Sequence, residues 1–173
     1  DAANNVSDAS AALAVTIDVT APAASSSNRQ SPSSETTSSA SVTFRVTLSE
    51  SVGCVDAADF TLTKTGTADA SVSSVSSVSG TTYDVIVSSV SGGGTLRLDL
   101  KSSGTGITDI AGNAIAAGFT SGQTYTVDRV APTISSVAAP GNATYGLTQT
   151  LDFTVTFSEA VTVVTTGGTP RLP

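Results

Sequence analysis

Three segments of this chain recur further along the sequence at almost the same distance. The recurrences pair residues 14–22 with 124–132, residues 42–52 with 151–161, and residues 1–5 with 109–113. The offsets are 110, 109 and 108 residues, so a unit of about 110 residues is repeated. This period matches the size of a single β-sandwich domain, and it restricts the chain to tandem copies of one small fold.

The repeat divides the chain into one complete module and two partial ones. We predict that residues 1–22 are the C-terminal tail of a preceding module, residues 23–132 a complete module, and residues 133–173 the N-terminal part of a following module. Because the chain starts without methionine and its last residues continue a strand-like run, we interpret it as a piece of a longer protein.

Short runs of alternating apolar and polar residues fill the complete module. Residues 42–49 read Val-Thr-Phe-Arg-Val-Thr-Leu-Ser, in which apolar and polar residues alternate. This period of two gives a strand one apolar face and one polar, solvent-facing face. Similar runs are residues 60–62, 83–87, 96–101 and 125–127, while residues 69–79 indicate an edge strand. The Ser/Thr-rich residues 25–41 indicate a first strand with a loop, with a disordered linker as the alternative. Glycine-containing turns separate the runs. The pattern predicts an all-β fold, an immunoglobulin-like antiparallel β-sandwich repeated in tandem.

The composition excludes several classes of function. The net charge is −7, and the seven Lys and Arg form no basic cluster, so nucleic acid is not expected as a partner. The sequence contains no histidine, which removes Ser-His and Cys-His catalytic pairs and leaves no ligand set for zinc. No apolar run is long enough for membrane insertion of this fragment. We therefore predict that the chain is not an enzyme.

The order and spacing of several motifs add a family resemblance. The motifs occupy residues 42–50, 55–62, 94–100, 106–114 and 119–128, followed by Ala131-Pro132-Thr133, and residues 151–172 open a sister repeat. Together they resemble the bacterial Ig-like repeats of giant surface adhesins and related large secreted proteins. The resemblance implies an extracellular location on the bacterial cell surface, a stalk of stacked modules without catalysis, and calcium at the module junctions.

Acidic and amide side chains recur at the predicted junctions and turns. The candidate calcium ligands are Asp18, Glu50, Asp109, Asn113, Asp128 and Glu159. Calcium takes six to eight oxygen ligands, and these side chains supply carboxylate and amide oxygens. The alternative is that they are turn formers and solvated strand ends, because Asp and Asn in turns hydrogen-bond their own backbone.

The expected function is that of a structural spacer in the stalk of an adhesin or surface repeat protein. Its partners would be the neighbouring Ig-like modules of the same chain. Two alternatives stay open: a filament subunit in which partial modules of like subunits complete one another by strand addition, and an Ig-like module that binds a glycan or a protein.

The single cysteine, Cys54, cannot form a disulfide within this chain. A lone cysteine is most often a small buried hydrophobe, which is the prediction here, with a free thiol for pairing between molecules as the alternative.

Overall fold

The computed structural model describes residues 2–3, 13–164 and 166–167, which form an all-β protein with several antiparallel sheets. The chain divides into a first compact unit that ends at Arg129 and a second that begins at Val130. No helix among the described residues is long and apolar enough to cross a membrane.

The described residues of the first unit form ten strands and one short 3₁₀ helix at Ala57–Asp59. The strands are β1 (Ala24–Ser31), β2 (Thr36–Thr37), β3 (Val42–Leu48), β4 (Val52–Gly53), β5 (Phe60–Lys64), β6 (Asp69–Ser79), β7 (Thr82–Ser91), β8 (Gly93–Leu100), β9 (Thr108–Asp109) and β10 (Thr124–Asp128).

Two four-stranded sheets make up most of this unit. One has the order β1-β3-β7-β6 and the other the order β2-β10-β8-β5, with neighbours antiparallel except for the parallel pair β2 and β10. The short strands β4 and β9 pair separately. The apolar faces of the two large sheets share one core, which is the layered arrangement expected of a β-sandwich.

The core is built from the alternating strands. Along β3, buried residues alternate with half-buried ones. Phe44 of β3 and Tyr125 of β10 meet edge to face, with ring centroids 5.0 Å apart, and so join the two sheets. The Tyr125 hydroxyl lies 2.6 and 3.0 Å from the carbonyl oxygens of Pro32 and Thr43, which satisfies the one polar atom of this buried ring. The other buried apolar side chains are Val42, Val46, Leu48, Phe60, Ala68, Tyr83, Val85, Val87, Val90, Leu96, Leu98, Leu100, Ile107 and Val127.

The strands β3, β5, β7, β8 and β10 coincide with the alternating runs of the sequence. The Val/Ser-rich run at 69–79 forms β6 at the edge of its sheet, as predicted, and the Ser/Thr-rich segment 25–41 holds β1, β2 and the loop between them. The prediction for Cys54 is wrong: the thiol is exposed. The residue lies in the loop after β4 with φ 61°, where its side chain faces away from the core.

In the second unit, the part of the chain that the structure describes forms two antiparallel strands, β11 (Ile134–Ala138) and β12 (Thr154–Phe157). Their pairs are Ile134 with Phe157, Ser136 with Thr156, Val137 with Val155, and Ala138 with Thr154. In the first unit, β1 and β3 pair Ala24 with Leu48, Ser26 with Thr47, Ser27 with Val46, and Asn28 with Arg45. Each residue of the second ladder lies 110 or 109 positions after its counterpart, and both ladders have a bulge between the first two pairs.

The hydrogen bonds at the end of the ladder repeat as well. In the first unit, the Ser49 amide donates to the Ala23 carbonyl at 2.8 Å, and the Ala23 amide donates to Ser49 Oγ at 3.0 Å. In the second unit, Ser158 and Thr133 make the same two bonds at 2.8 and 2.9 Å. The same local sequence therefore produces the same local structure in both places.

Candidate metal centre

Three carboxylates from distant parts of the first unit lie together. Asp18, Glu50 and Asp109 each offer an oxygen that is within 4.8 Å of the others. Asp18 belongs to the extended segment before β1, Glu50 follows the end of β3, and Asp109 ends β9. We call these three side chains the junction cluster, because the extended segment before β1, which we call the entering segment, here meets the residues that follow β3 and end β9.

Asp109 is held by its own turn. The Asn113 backbone amide donates to Asp109 Oδ1 at 2.8 Å, and the Asn113 side-chain nitrogen donates to Oδ2 at 2.8 Å. The Asp109 amide in turn donates to the Asn113 carbonyl at 3.1 Å. The Asp-x-Ala-Gly-Asn spacing therefore closes a turn that fixes the carboxylate at the edge of β9.

The entering segment is tied to the same turn. The side-chain nitrogen of Asn113 also lies 3.2 Å from the backbone oxygen of Asp18 and donates to it. The carboxylate of Asp18 accepts a hydrogen bond from the Thr20 amide at 2.9 Å. Further on, Pro22 is buried and its carbonyl accepts a hydrogen bond from the Ala116 amide at 2.9 Å. Asn113 thus connects two members of the junction cluster.

Glu50 lies close to the negatively charged side chains of Asp18 and Asp109. Burial raises the pKa of Glu50 above its ordinary value, and the charges of Asp18 and Asp109 raise it further. The Asn113 side-chain hydrogen bond lowers the pKa of Asp109, while burial opposes this change. The salt bridges within the described ranges join Arg45 to Asp84, Lys64 to Asp69, and Arg97 to Asp99. The junction cluster therefore concentrates negative charge without a Lys or Arg partner in that part of the chain.

The chemistry of this donor set fits calcium. Three carboxylates supply up to six oxygens, and flexible carboxylate sets with water suit the six to eight ligands of calcium better than the strict octahedron of magnesium. A divalent cation would offset the repulsion from Asp18 and Asp109, which adds to the larger effect of burial on the Glu50 pKa. Asn113, predicted as a ligand, uses its amide nitrogen to orient Asp109 and the Asp18 backbone.

The remaining predicted ligands lie outside the junction cluster. Asp128 is exposed at the end of β10. Glu159 follows β12 in the second unit, at the position equivalent to Glu50, and its Oε1 atom is buried without a hydrogen-bond partner among the described residues. The repeat in the sequence relates Asp128 to Asp18 and Glu159 to Glu50, and calcium binding by Asp128 and Glu159 stays a prediction.

Two other carboxylates near Glu50 in sequence serve a different purpose. Asp56 accepts a hydrogen bond from the Ala58 amide, and Asp59 accepts one from the Asp56 amide at 2.8 Å. These contacts form a capping box around the short 3₁₀ helix. Here the turn-forming interpretation of an acidic side chain is the one that applies.

Comparisons with family models, with curated proteins and with solved structures found no match for this chain.

Proposed function

We propose that this chain is a structural spacer from the stalk of an extracellular bacterial adhesin or surface repeat protein, built from tandem Ig-like modules and stiffened by calcium at their junctions. The observation that carries the proposal is the repeated strand ladder. β11 and β12 reproduce the pairs and the bulge of β1 and β3 at the spacing found in the sequence. A chain that builds the same ladder twice, one domain length apart, supports tandem copies of one fold.

The strand order supports an Ig-like topology for the complete module. In a constant-type immunoglobulin domain, strands A, B, E and D form one sheet and strands C, F and G the other. The sheet β1-β3-β7-β6 corresponds to A-B-E-D, and β10-β8-β5 corresponds to G-F-C. The two-residue strand β2, parallel to β10, is then a small addition at the edge of the second sheet.

The junction cluster supports the stiffening role. Asp18 is on the entering segment, whereas Glu50 and Asp109 belong to the body of the module. A cation held by all three would fasten the entering segment to that body, which limits bending at the junction. The hydrogen bond from the Asn113 side chain to the Asp18 backbone oxygen also holds the entering segment against the module.

The role proposed is mechanical and not catalytic. A sequence without histidine offers neither a Ser-His nor a Cys-His pair. Its partners would be the neighbouring modules of the same chain, which meet through nearest-neighbour interfaces. The acidic surface, with a net charge of −7, suits a soluble extracellular protein that meets divalent cations at high concentration.

We expect calcium to raise the melting temperature of the chain. Extracellular calcium sites have Kd values on the order of 0.1–1 mM, and a tenfold excess over Kd stabilises the native state by about 1.4 kcal/mol. For a domain of this size that is a shift of roughly 5 °C. The measurement is a thermal melt in EDTA and in calcium from micromolar to millimolar concentrations.

Matched variants assign the shift to the junction cluster. Asp18→Asn and Glu50→Gln should each abolish most of it, while Asp152→Asn, an exposed carboxylate in the second unit, should leave it intact. An unchanged melting temperature at millimolar calcium would remove the metal from the proposal. Stiffness at the junction would then come from packing and from the Asn113 hydrogen bonds alone.

A second prediction concerns pH in the absence of metal. The folded-state pKa of Glu50 is raised, so ionising Glu50 costs more free energy in the folded state than in the unfolded state. This loss of stability is absent below the ordinary pKa of 4.5 and is complete once the pH exceeds the folded-state pKa. In EDTA at neutral pH, Glu50→Gln should therefore melt at a higher temperature than the unmodified chain. The difference should shrink as the pH falls through that window, since Glu50 then becomes neutral like glutamine.

The comparison between these two proteins measures Glu50 together with its repulsion from Asp18 and Asp109. The lowered pKa of Asp109 makes the opposite contribution, which is lost at low pH, and the part of it that comes from the Asn113 hydrogen bonds is common to both proteins. A gap between the two melting temperatures that stays constant from neutral to acidic pH would contradict the electrostatic account of the cluster.

A further inference from the structure

The sheet β1-β3-β7-β6 ends in a long strand that carries no charge beyond its first residue. β6 (Asp69–Ser79) has 11 residues, and in the part of the chain that the structure describes it pairs with β7 alone. From Ala70 to Ser79 every residue is Ala, Val or Ser. An edge strand presents a row of unpaired N–H and C=O groups, so a long and uncharged one is a template for pairing with another strand.

The other edges of the two large sheets are protected. In β1, the Arg29 amide donates to Oε1 of Gln123 at 2.9 Å, so a neighbouring loop covers that edge. β2 has only two residues, and β5 ends in Lys64, which forms a salt bridge with Asp69 at 2.6 Å. Within the described ranges, no backbone hydrogen bond joins residues 71–79 to any strand but β7. These residues therefore lack the charge, the short length and the covering segment that block pairing at the other edges.

A bulge in β6 serves the packing of its own valines. Valine stands at positions 72, 75 and 78, three residues apart, whereas a regular strand returns to the same face every two residues. The bulge after Val72 corrects this spacing, so that Val72 pairs with Val87 and Val75 with Val85. Both partners on β7 are buried, so Val72 and Val75 pack against the core. Core packing therefore explains this irregularity of the edge.

Residues 71–79 have a symmetric sequence. They read Ser-Val-Ser-Ser-Val-Ser-Ser-Val-Ser, which is the same in both directions, with Val75 at the centre. Two copies that pair antiparallel about Val75 would place each valine opposite a valine and each serine opposite a serine. Val78, which is 53% exposed, would lie opposite Val72 of the second copy. The pairing also joins no like charges, since Asp69 would lie opposite Thr81.

We propose that β6 of one copy of this chain pairs antiparallel with β6 of a second copy, with Val75 opposite Val75 on a two-fold axis. The two four-stranded sheets would join into one sheet of eight strands. Because each copy uses the same edge, the contact is satisfied in a dimer and offers no free edge of β6 for further copies. The pairing involves neither the ends of the chain nor the junction cluster, so it is independent of the proposed calcium site.

The first test is sedimentation equilibrium of the full chain in EDTA over about a thousandfold range of concentration. The chain should rise from its monomer mass of 17.0 kDa towards twice that mass and no further. All proteins in the test carry Cys54→Ser, because the exposed Cys54 thiol could otherwise link two copies through a disulfide.

Two lysines on β6 should keep the chain at the monomer mass. In the proposed register Ser74 lies opposite Ser76 of the second copy, so Ser74→Lys/Ser76→Lys places lysine opposite lysine in two pairs. Both serines are exposed, so this variant should fold, which a thermal melt checks. The control Thr61→Lys/Ser121→Lys adds the same two charges at exposed positions away from β6 and should associate as the parent chain does.

Cysteine pairs test the register itself. A mixture of Ser74→Cys with Ser76→Cys, incubated with oxidised glutathione, should form disulfide-linked dimers, because directly opposite residues have Cβ atoms about 4.5–5.5 Å apart. Either variant alone places its two thiols diagonally, about 7–8 Å apart, and should cross-link several-fold less.

Three results would overturn the proposal. The first is a chain that stays monomeric at every concentration, and the second is association that persists in Ser74→Lys/Ser76→Lys. The third is cross-linking of the separate cysteine variants that equals that of their mixture, which contradicts a register centred on Val75. Because the measurements are made in EDTA, a chain that stays monomeric but is stabilised by calcium would end the β6 pairing and leave the spacer function standing.

Discussion

Replacing Phe44 by alanine should lower the free energy of unfolding of the first unit by about 3–5 kcal/mol. Phe44 has no exposed surface, and its ring supports Tyr125 across the two sheets at 5.0 Å. The substitution removes buried apolar area and leaves a cavity that the flanking strands cannot close without losing their pairing. Chemical denaturation of the full chain, followed by the fluorescence or circular dichroism of the first unit, measures the loss.

The internal repeat supplies a matched control for this substitution. Phe153 stands at the equivalent position of the repeat, immediately before β12, but its side chain is 54% exposed. In dilute solution Phe153→Ala removes the same atoms from a surface that water already reaches, so the first unit should keep its stability to within about 0.5 kcal/mol. Equal losses in the two variants would contradict the assignment of the core to the first unit.

Most of the first unit could be predicted from its alternating residues. β3, β5, β7, β8 and β10 lie where the alternating pattern places them, because a period of two specifies which side chains face the core, and β6 lies where the Val/Ser-rich run indicated an edge strand. The two-residue strands β2, β4 and β9 could not be found in this way. Their pairing depends on which segments the tertiary structure brings together, and two residues carry no periodicity.

The junction cluster was predictable in part and for an identifiable reason. The sequence predicts six candidate ligands at the junctions and turns of the repeat, and the structure brings the carboxylates of three of them, Asp18, Glu50 and Asp109, within 4.8 Å of one another. The bridging role of Asn113 was not predicted, although the Asp-x-Ala-Gly-Asn spacing contained the signal. Local spacing shows that a turn closes, but it does not show which neighbouring backbone the amide reaches.

Cys54 and Asp59 show where composition-based expectations fail. Cysteine is usually buried, yet Cys54 lies in a loop and is exposed. Aspartate is usually exposed, yet Asp59 is buried, where it completes the capping box of the 3₁₀ helix. Its pKa is raised chiefly by burial, which is partly offset by the hydrogen bond from the Asp56 amide. In both cases a turn in the backbone decides the position of the side chain, and composition carries no information about that turn.

The second large effect is expected at Gly92, in the turn between β7 and β8. Gly92 has φ +70°, and a Cβ atom there would lie 2.0 Å from the carbonyl oxygen of Thr67. That oxygen belongs to the turn between β5 and β6, which is fastened to the neighbouring residue Gly93 by hydrogen bonds in both directions. Gly92→Ala therefore forces two anchored turns apart, and we expect a loss of about 2–4 kcal/mol from left-handed strain and overpacking together.

Gly104 separates these two causes. Its φ of +72° is nearly the same, but an added Cβ would meet no atom within 4 Å. Gly104→Ala should then cost only the left-handed strain, about 1 kcal/mol. Denaturant titration of both variants gives the difference, which measures the contact with Thr67 alone. If the two losses were equal, backbone strain would account for both, and the turn at residues 65–67 would have to move away without cost. That result is not compatible with its hydrogen bonds to residues 93 and 95, which hold the ends of β5 and β8 in register.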